Sequence, residues 1–159
     1  MTIQWTEELA VGYPAIDNQH KELINKFNQF LDACHQHKGK VHLGELFGFL
    51  DNYVVLHFCE EERLMELYQY PDLLTHRKQH QEFTQRLEEL HSELAREGTT
   101  ISVLIHTNKA LLYWLSTHIK QVDVALGKYL ASTPNAERHN HPDPPPSTAA
   151  APVRVNSTG

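Results

Sequence analysis

Apolar residues recur along most of this chain at steps of three and four, the spacing of one face of an α-helix. One run places Ile16, His20, Leu23, Phe27, Phe30 and Cys34 on a common seam. A second runs Leu43, Leu46, Leu50, Val54, His57, Glu61, Leu64, Tyr68, and a third Leu73, His76, His80, Phe83, Leu87, Leu90, Leu94. The fourth is Leu104, Thr107, Leu111, Trp114, His118 and Val122. Turn chemistry separates them: Gly39, then Pro71 with Asp72, then Gly98 within REGTT. Connections this short force antiparallel neighbours. The pattern predicts an all-α fold, an up-down-up-down antiparallel four-helix bundle.

Both ends depart from the pattern. Trp5, Leu9 and Tyr13 show no regular period, which predicts an N-terminal arm laid across the bundle. From residue 132 the chain reads STPNAERHNHPDPPPSTAAAPVRVNSTG, with six of the eight prolines and no aromatic residue. That composition predicts a disordered, Pro-rich C-terminal tail, leaving residues 1–131 as the bundle and 132–159 as the tail. His139 and His141 fall in it and are read as incidental.

The stretch VVLHFCEEERLM is where the periodic reading meets an anomaly. Val54, Val55, Leu56, Phe58, Leu64 and Met65 read as one side of a core helix, yet His57 and Glu61 occupy its seam. The other seams carry the same intrusion at matched heights. His20 is early in its helix, His57 and Glu61 late, His76 and His80 early, His118 late. His20 and His57 lie 19 and 18 residues either side of Gly39, and His80 and His118 lie 18 and 20 either side of Gly98. On antiparallel helices these positions meet at one end of the bundle. Five imidazoles and a carboxylate thus converge at one level of one core.

Composition narrows what such a cluster is for. Twelve histidines in 159 residues is a large excess, and the net charge is −6. With no basic run to neutralise phosphates, nucleic acid is not an expected partner. No apolar stretch approaches the roughly 20 residues of a membrane helix, and no signal peptide is visible, so a cytoplasmic chain is expected. Cys34 and Cys59 stand 25 apart without a CxxC pair, which points away from a zinc knuckle or redox motif. A single seam histidine is most often a hydrogen-bonded core residue. Five without partners would each cost roughly 1–3 kcal/mol, against a total stability of about 5–15 kcal/mol. A metal supplies every ring with a partner at once.

One zinc takes four ligands, too few for this set. Imidazole suits iron, copper, nickel and zinc, whereas calcium and magnesium want oxygen. Glu61 stands one turn from His57, so a carboxylate bridging two metals is available. Glu-rich di-iron bundles use a Glu-x-x-His motif on two helices. Here that motif is met only by Glu88 and His91, and His91 lies off the seam.

DNQHKELI around His20, HFCEEERLM with His57 and Glu61, HRKQH with His76 and His80, and WLSTHIKQVD with His118 and Asp123 resemble the bacterial hemerythrins. The resemblance covers roughly residues 3–130 and the whole H…HxxxE…HxxxH…HxxxxD pattern. It implies reversible O2 binding at a non-haem di-iron centre, two iron ions joined by an oxo or hydroxo bridge. Carried over, His76, His80 and His118 hold one iron, while His20 and His57 hold the other and leave it an open position. Glu61 and Asp123 bridge the pair. Neutral nitrogen donors among apolar neighbours (Leu23, Phe27, Phe83, Leu111 and Trp114) favour binding oxygen over activating it. The expectation is an O2-binding monomer for storage, delivery or sensing, not an enzyme, with an oxygen-consuming enzyme as a recipient. The alternatives are a di-iron enzyme reducing peroxide or nitric oxide, and an iron-responsive regulatory module.

One spacing conflicts with a regular helix. His118 and Asp123 are five apart and would diverge by about 140° at 3.6 residues per turn. If both reach one metal pair, helix 4 must be wound wider, kinked or ended between Ile119 and Asp123. A single π-type turn would suffice.

Overall fold

The computed structural model describes residues 3–133; of the tail expected from 132, Ser132 still closes the last helix and Thr133 follows it, and the rest lies outside the described residues. A short 3-10 turn at Glu7–Leu9 precedes α1 (Pro14–His35), α2 (Gly39–Leu67) and α3 (Leu73–Glu97). The fourth rod is α4 (Ile101–Tyr113), a π-helical stretch Trp114–Asp123 and α5 (Val124–Ser132), with no break between them. The architecture is the expected antiparallel four-helix bundle, without strands among the described residues. None of the described helices is long and apolar enough to cross a membrane.

Local chemistry sets the ends. Pro14 opens α1, where its missing N–H is no loss. The Thr100 side chain accepts from Val103 N at 3.3 Å and caps α4. The α1–α2 turn differs from expectation. His37, at φ 59°, takes the left-handed conformation, and Lys38 N donates to Ala33 O at 2.7 Å to close the helix. Gly39 instead opens α2, where a Cβ would stand 2.6 Å from Cys34 Sγ. After α2, Gln69 (φ 54°) and the Tyr70 N to Met65 O bond of 2.8 Å repeat that closure.

Seam and surface also separate more sharply than the sequence suggests. Val55 and Leu56 are 60% and 64% exposed, and Val54 is half-buried, so they do not form the core side of α2. Consecutive residues step by about 100° around a helix and cannot all face inward. Tyr53 takes the buried place, one turn before His57. Likewise Ala33 is buried and Cys34 only half so.

Two apolar clusters fill the interior. The larger includes Leu23, Phe27, Leu50, Phe58, Phe83, Leu111 and Trp114; the smaller includes Val11, Ile16, Leu64, Met65, Leu126 and Leu130. Between them lies a buried polar layer, since His20 falls between Ile16 and Leu23 and Glu61 between Phe58 and Leu64. The arm packs on both clusters, with Ile3, Trp5 and Leu9 against the larger and Val11 and Tyr13 at the smaller. Asp17 accepts from Val11 N at 2.7 Å and Gly12 N at 3.1 Å. At Gly127 any side chain would strike the Val11 backbone, so glycine lets the arm cross the fourth rod.

Candidate metal centre

Each rod delivers part of the polar layer. His20 comes from α1, His57 and Glu61 from α2, His76 and His80 from α3, and His118 and Asp123 from the π-helical stretch. None of the seven is more than 2% exposed. The four-residue spacings on α2 and α3 align by ordinary helical winding. The five-residue spacing is aligned by π winding, whose i→i+5 period returns Asp123 to the face of His118. The wide winding runs over ten residues, not the single turn that would have sufficed.

The donor atoms point at one another. Asp123 Oδ1 lies 2.9 Å from His118 Nε2 and 3.2 Å from His76 Nε2. Its Oδ2 lies 3.2 Å from His20 Nε2 and 3.9 Å from His57 Nε2. Glu61 Oε2 is 3.1, 3.3 and 3.5 Å from the Nε2 atoms of His80, His76 and His57. Two four-residue groups result, each with ligand atoms within 4.8 Å of one another: Glu61, His76, His80, His118, and His20, His57, Glu61, Asp123. Glu61 belongs to both.

Outward hydrogen bonds determine what the rings present inward. His57 Nδ1 donates to Gln19 Oε1 and His118 Nδ1 to Gln79 Oε1, each at 3.0 Å. His80 Nδ1 donates to Glu62 Oε1 at 3.0 Å, and Arg77 Nε donates to the other oxygen of Glu62 at 2.8 Å. With the ring proton on Nδ1, each neutral ring turns an Nε2 lone pair toward a carboxylate. Lone pair facing lone pair in a buried site is repulsive. His118 Nε2, both Asp123 oxygens, Glu61 Oε1 and both His76 nitrogens lack a hydrogen-bond partner. The residues therefore fit a cation, and a pair of cations fits the two groups with a shared carboxylate.

The profile of the hemerythrin HHE cation binding domain matches residues 11–130. The chain belongs to the hemerythrin family. It is similar to a bacteriohemerythrin of Stenotrophomonas maltophilia, 29% identical over 137 residues, 86% of this chain and 87% of the relative. A bacteriohemerythrin of Pseudomonas aeruginosa is 34% identical over 122 residues, 75% of each chain. A myohemerythrin of Theromyzon tessulatum is 29% identical over 122 residues, 76% of this chain and 87% of the relative.

The electrostatics of this hemerythrin centre follow from burial set against paired charge. Burial drives His57 down from 6.5 to about 4, opposing the pull of Glu61. Burial likewise lowers His118. Burial opposes protonation of His76 too, but its contacts with Asp123 and Glu61 prevail and raise it to about 9. Burial pushes both carboxylates up, and the charge of Asp123 pushes Glu61 further. The surrounding imidazoles, His118 foremost for Asp123 and His57 for Glu61, outweigh this and hold both below the usual carboxylate range. Metal-free, the layer keeps two anions with His76 as their protonated partner.

Four contributors were not singled out from the sequence. Gln19, Glu62 and Gln79 are chain neighbours of His20, Glu61 and His80, at positions where a helix ordinarily shows polar residues to water. Nothing in their spacing distinguished them. The fourth, Tyr53, stacks on His57 with ring centroids 4.7 Å apart and planes at 24°. Burial, with Asp123 and Glu61 behind it, pushes its phenol well above the usual value and keeps it protonated. The Glu88–His91 motif is not part of the centre: Glu88 is exposed and His91 pairs with Asp51 at 2.8 Å near the surface.

Proposed function

We propose that the chain binds O2 reversibly at a non-haem di-iron centre, with His76, His80 and His118 on one iron, His20 and His57 on the other, and Glu61 and Asp123 bridging. The observation that carries the reading is the way Asp123 divides its oxygens. Oδ1 faces His76 and His118, while Oδ2 faces His20 and His57, as a carboxylate shared by two ions requires. Two irons there supply the paired electrons for reversible binding of dioxygen. The protein's part is to hold five neutral imidazoles, to offset the ions' charge with two carboxylates and to keep water out. The two-histidine side has one nitrogen donor fewer, so it is the side left for the ligand.

Phe58 and Trp114 wall the three-histidine side, stacked on His80 and His118 with ring centroids at 3.9 and 3.7 Å. Burial of the whole layer, on the His20–His57 side as well, disfavours protonation and loss of reduced oxygen, which supports binding for storage, delivery or sensing over turnover. We infer a cytoplasmic monomer that hands oxygen to an oxygen-consuming enzyme. Metal analysis of the purified protein should find two irons per chain, and the anaerobically reduced protein should gain colour reversibly in air. One zinc per chain, or no spectral change with O2, would exclude the reading.

A further inference from the structure

Two hydrogen-bond donors next to the centre are buried and idle. Tyr53 Oη and Trp114 Nε1 have no hydrogen-bond partner, although their residues are only 4% and 3% exposed. Their rings flank the two sides of the centre, Tyr53 stacked on His57 and Trp114 on His118. The phenol lies within electrostatic reach of Glu61 and Asp123. Folded proteins rarely leave a buried donor unused, because its lost hydration is not replaced. A phenylalanine at position 53 would keep the ring against His57, Phe49 and Phe58 at no such cost. The hydroxyl is therefore not explained by packing.

We propose that Tyr53 is the donor that holds the diatomic ligand: its O–H, without a partner in the protein, donates a hydrogen bond to dioxygen occupying the His20–His57 side. The proposal rests on the O2-binding reading and adds to it a single polar contact in an apolar wall. Electron density shifts toward dioxygen when it is held reversibly, which makes it an acceptor, and a buried donor is strongest where water is absent. A neutral apolar guest would gain nothing from it.

Tyr53→Phe tests this, because the two side chains differ only in the hydroxyl. In the iron-loaded protein, stopped-flow measurement should show O2 leaving about tenfold faster. The association rate should stay within about twofold, since the pocket's shape is unchanged. In the metal-free protein the same variant should melt at the same temperature or up to about 4 °C higher, because it removes an unpartnered buried group. An unchanged O2 dissociation rate in a variant whose parent binds O2 would overturn the role of Tyr53 alone. A metal-free melting temperature lowered by several degrees would show the hydroxyl to be structural and would also overturn it. Absence of O2 binding by the parent would overturn both readings.

Discussion

His80 differs from His57 and His118 in what accepts its outward proton. A glutamine oxygen holds the Nδ1–H of His57 and of His118, whereas the Glu62 carboxylate, anchored by Arg77, holds that of His80. An ionised acceptor draws the proton harder and makes the opposite nitrogen a stronger donor. Glu62→Gln, which keeps the shape and removes the charge, should weaken metal retention about tenfold or more. Its reduction potential should also rise, since the oxidised ion relies most on a strong donor. Competition with a chelator and a redox titration check the two effects. Unchanged retention and potential would mean that the charge on Glu62 does not reach the centre. Such a residue stands beside Glu61 in the chain yet acts through a ring on another helix. Its role was hidden because a glutamate next to a seam normally faces water.

The fourth rod shows how an element can be shaped by one pair of side chains. Two residues five apart cannot share a face in an α-helix, and Trp114–Asp123 is wound with the longer period instead. The HxxxxD spacing made that distortion legible beforehand, but not its length. The extent depends on packing of Trp114, Leu115 and Ile119 into the core, all of them buried. Deleting Gln121, an exposed residue of this stretch, would restore a spacing of four in a site built for five. The deletion should abolish most iron binding, whereas Gln121→Ala should leave iron content nearly unchanged. Equal iron content in the two variants would show that the wide winding is incidental to the centre.

For the molecule as a whole, the polar layer couples folding to protons until metal replaces them. In the metal-free protein His57 falls from 6.5 to about 4, so stability erodes as pH drops through that window. Glu61 and Asp123 are lowered as well and deepen the loss at acid pH. His76 is raised from 6.5 to about 9, so the stability its proton lends is complete below 6.5 and is lost as pH rises through 9. Metal-free melting temperature should therefore peak near pH 6.5 and fall on both sides. The iron-loaded protein should keep its stability on the alkaline side, because a cation then takes the place of the His76 proton. Thermal melts across pH, with and without iron, check this. A metal-free profile flat from pH 6.5 to 9 would mean that His76 carries no proton.

The sequence alone determined what depends on periodicity. Steps of three and four defined four seams, and short breaks made them antiparallel. Matched distances from Gly39 and Gly98 brought His20, His57, Glu61, His76, His80 and His118 to one level, because rise per residue is the same in every helix. The family resemblance added Asp123. Tertiary structure decided what depends on direction around each helix and on contacts between helices. It placed Tyr53 inside and Val55 and Leu56 outside, set Gln19, Glu62 and Gln79 on the outer nitrogens, and divided the two oxygens of Asp123 between two groups of imidazoles. A seam specifies height along a rod to within a turn. Which atom meets which across a gap of about 3 Å follows only once neighbouring rods have packed and fixed their rotation.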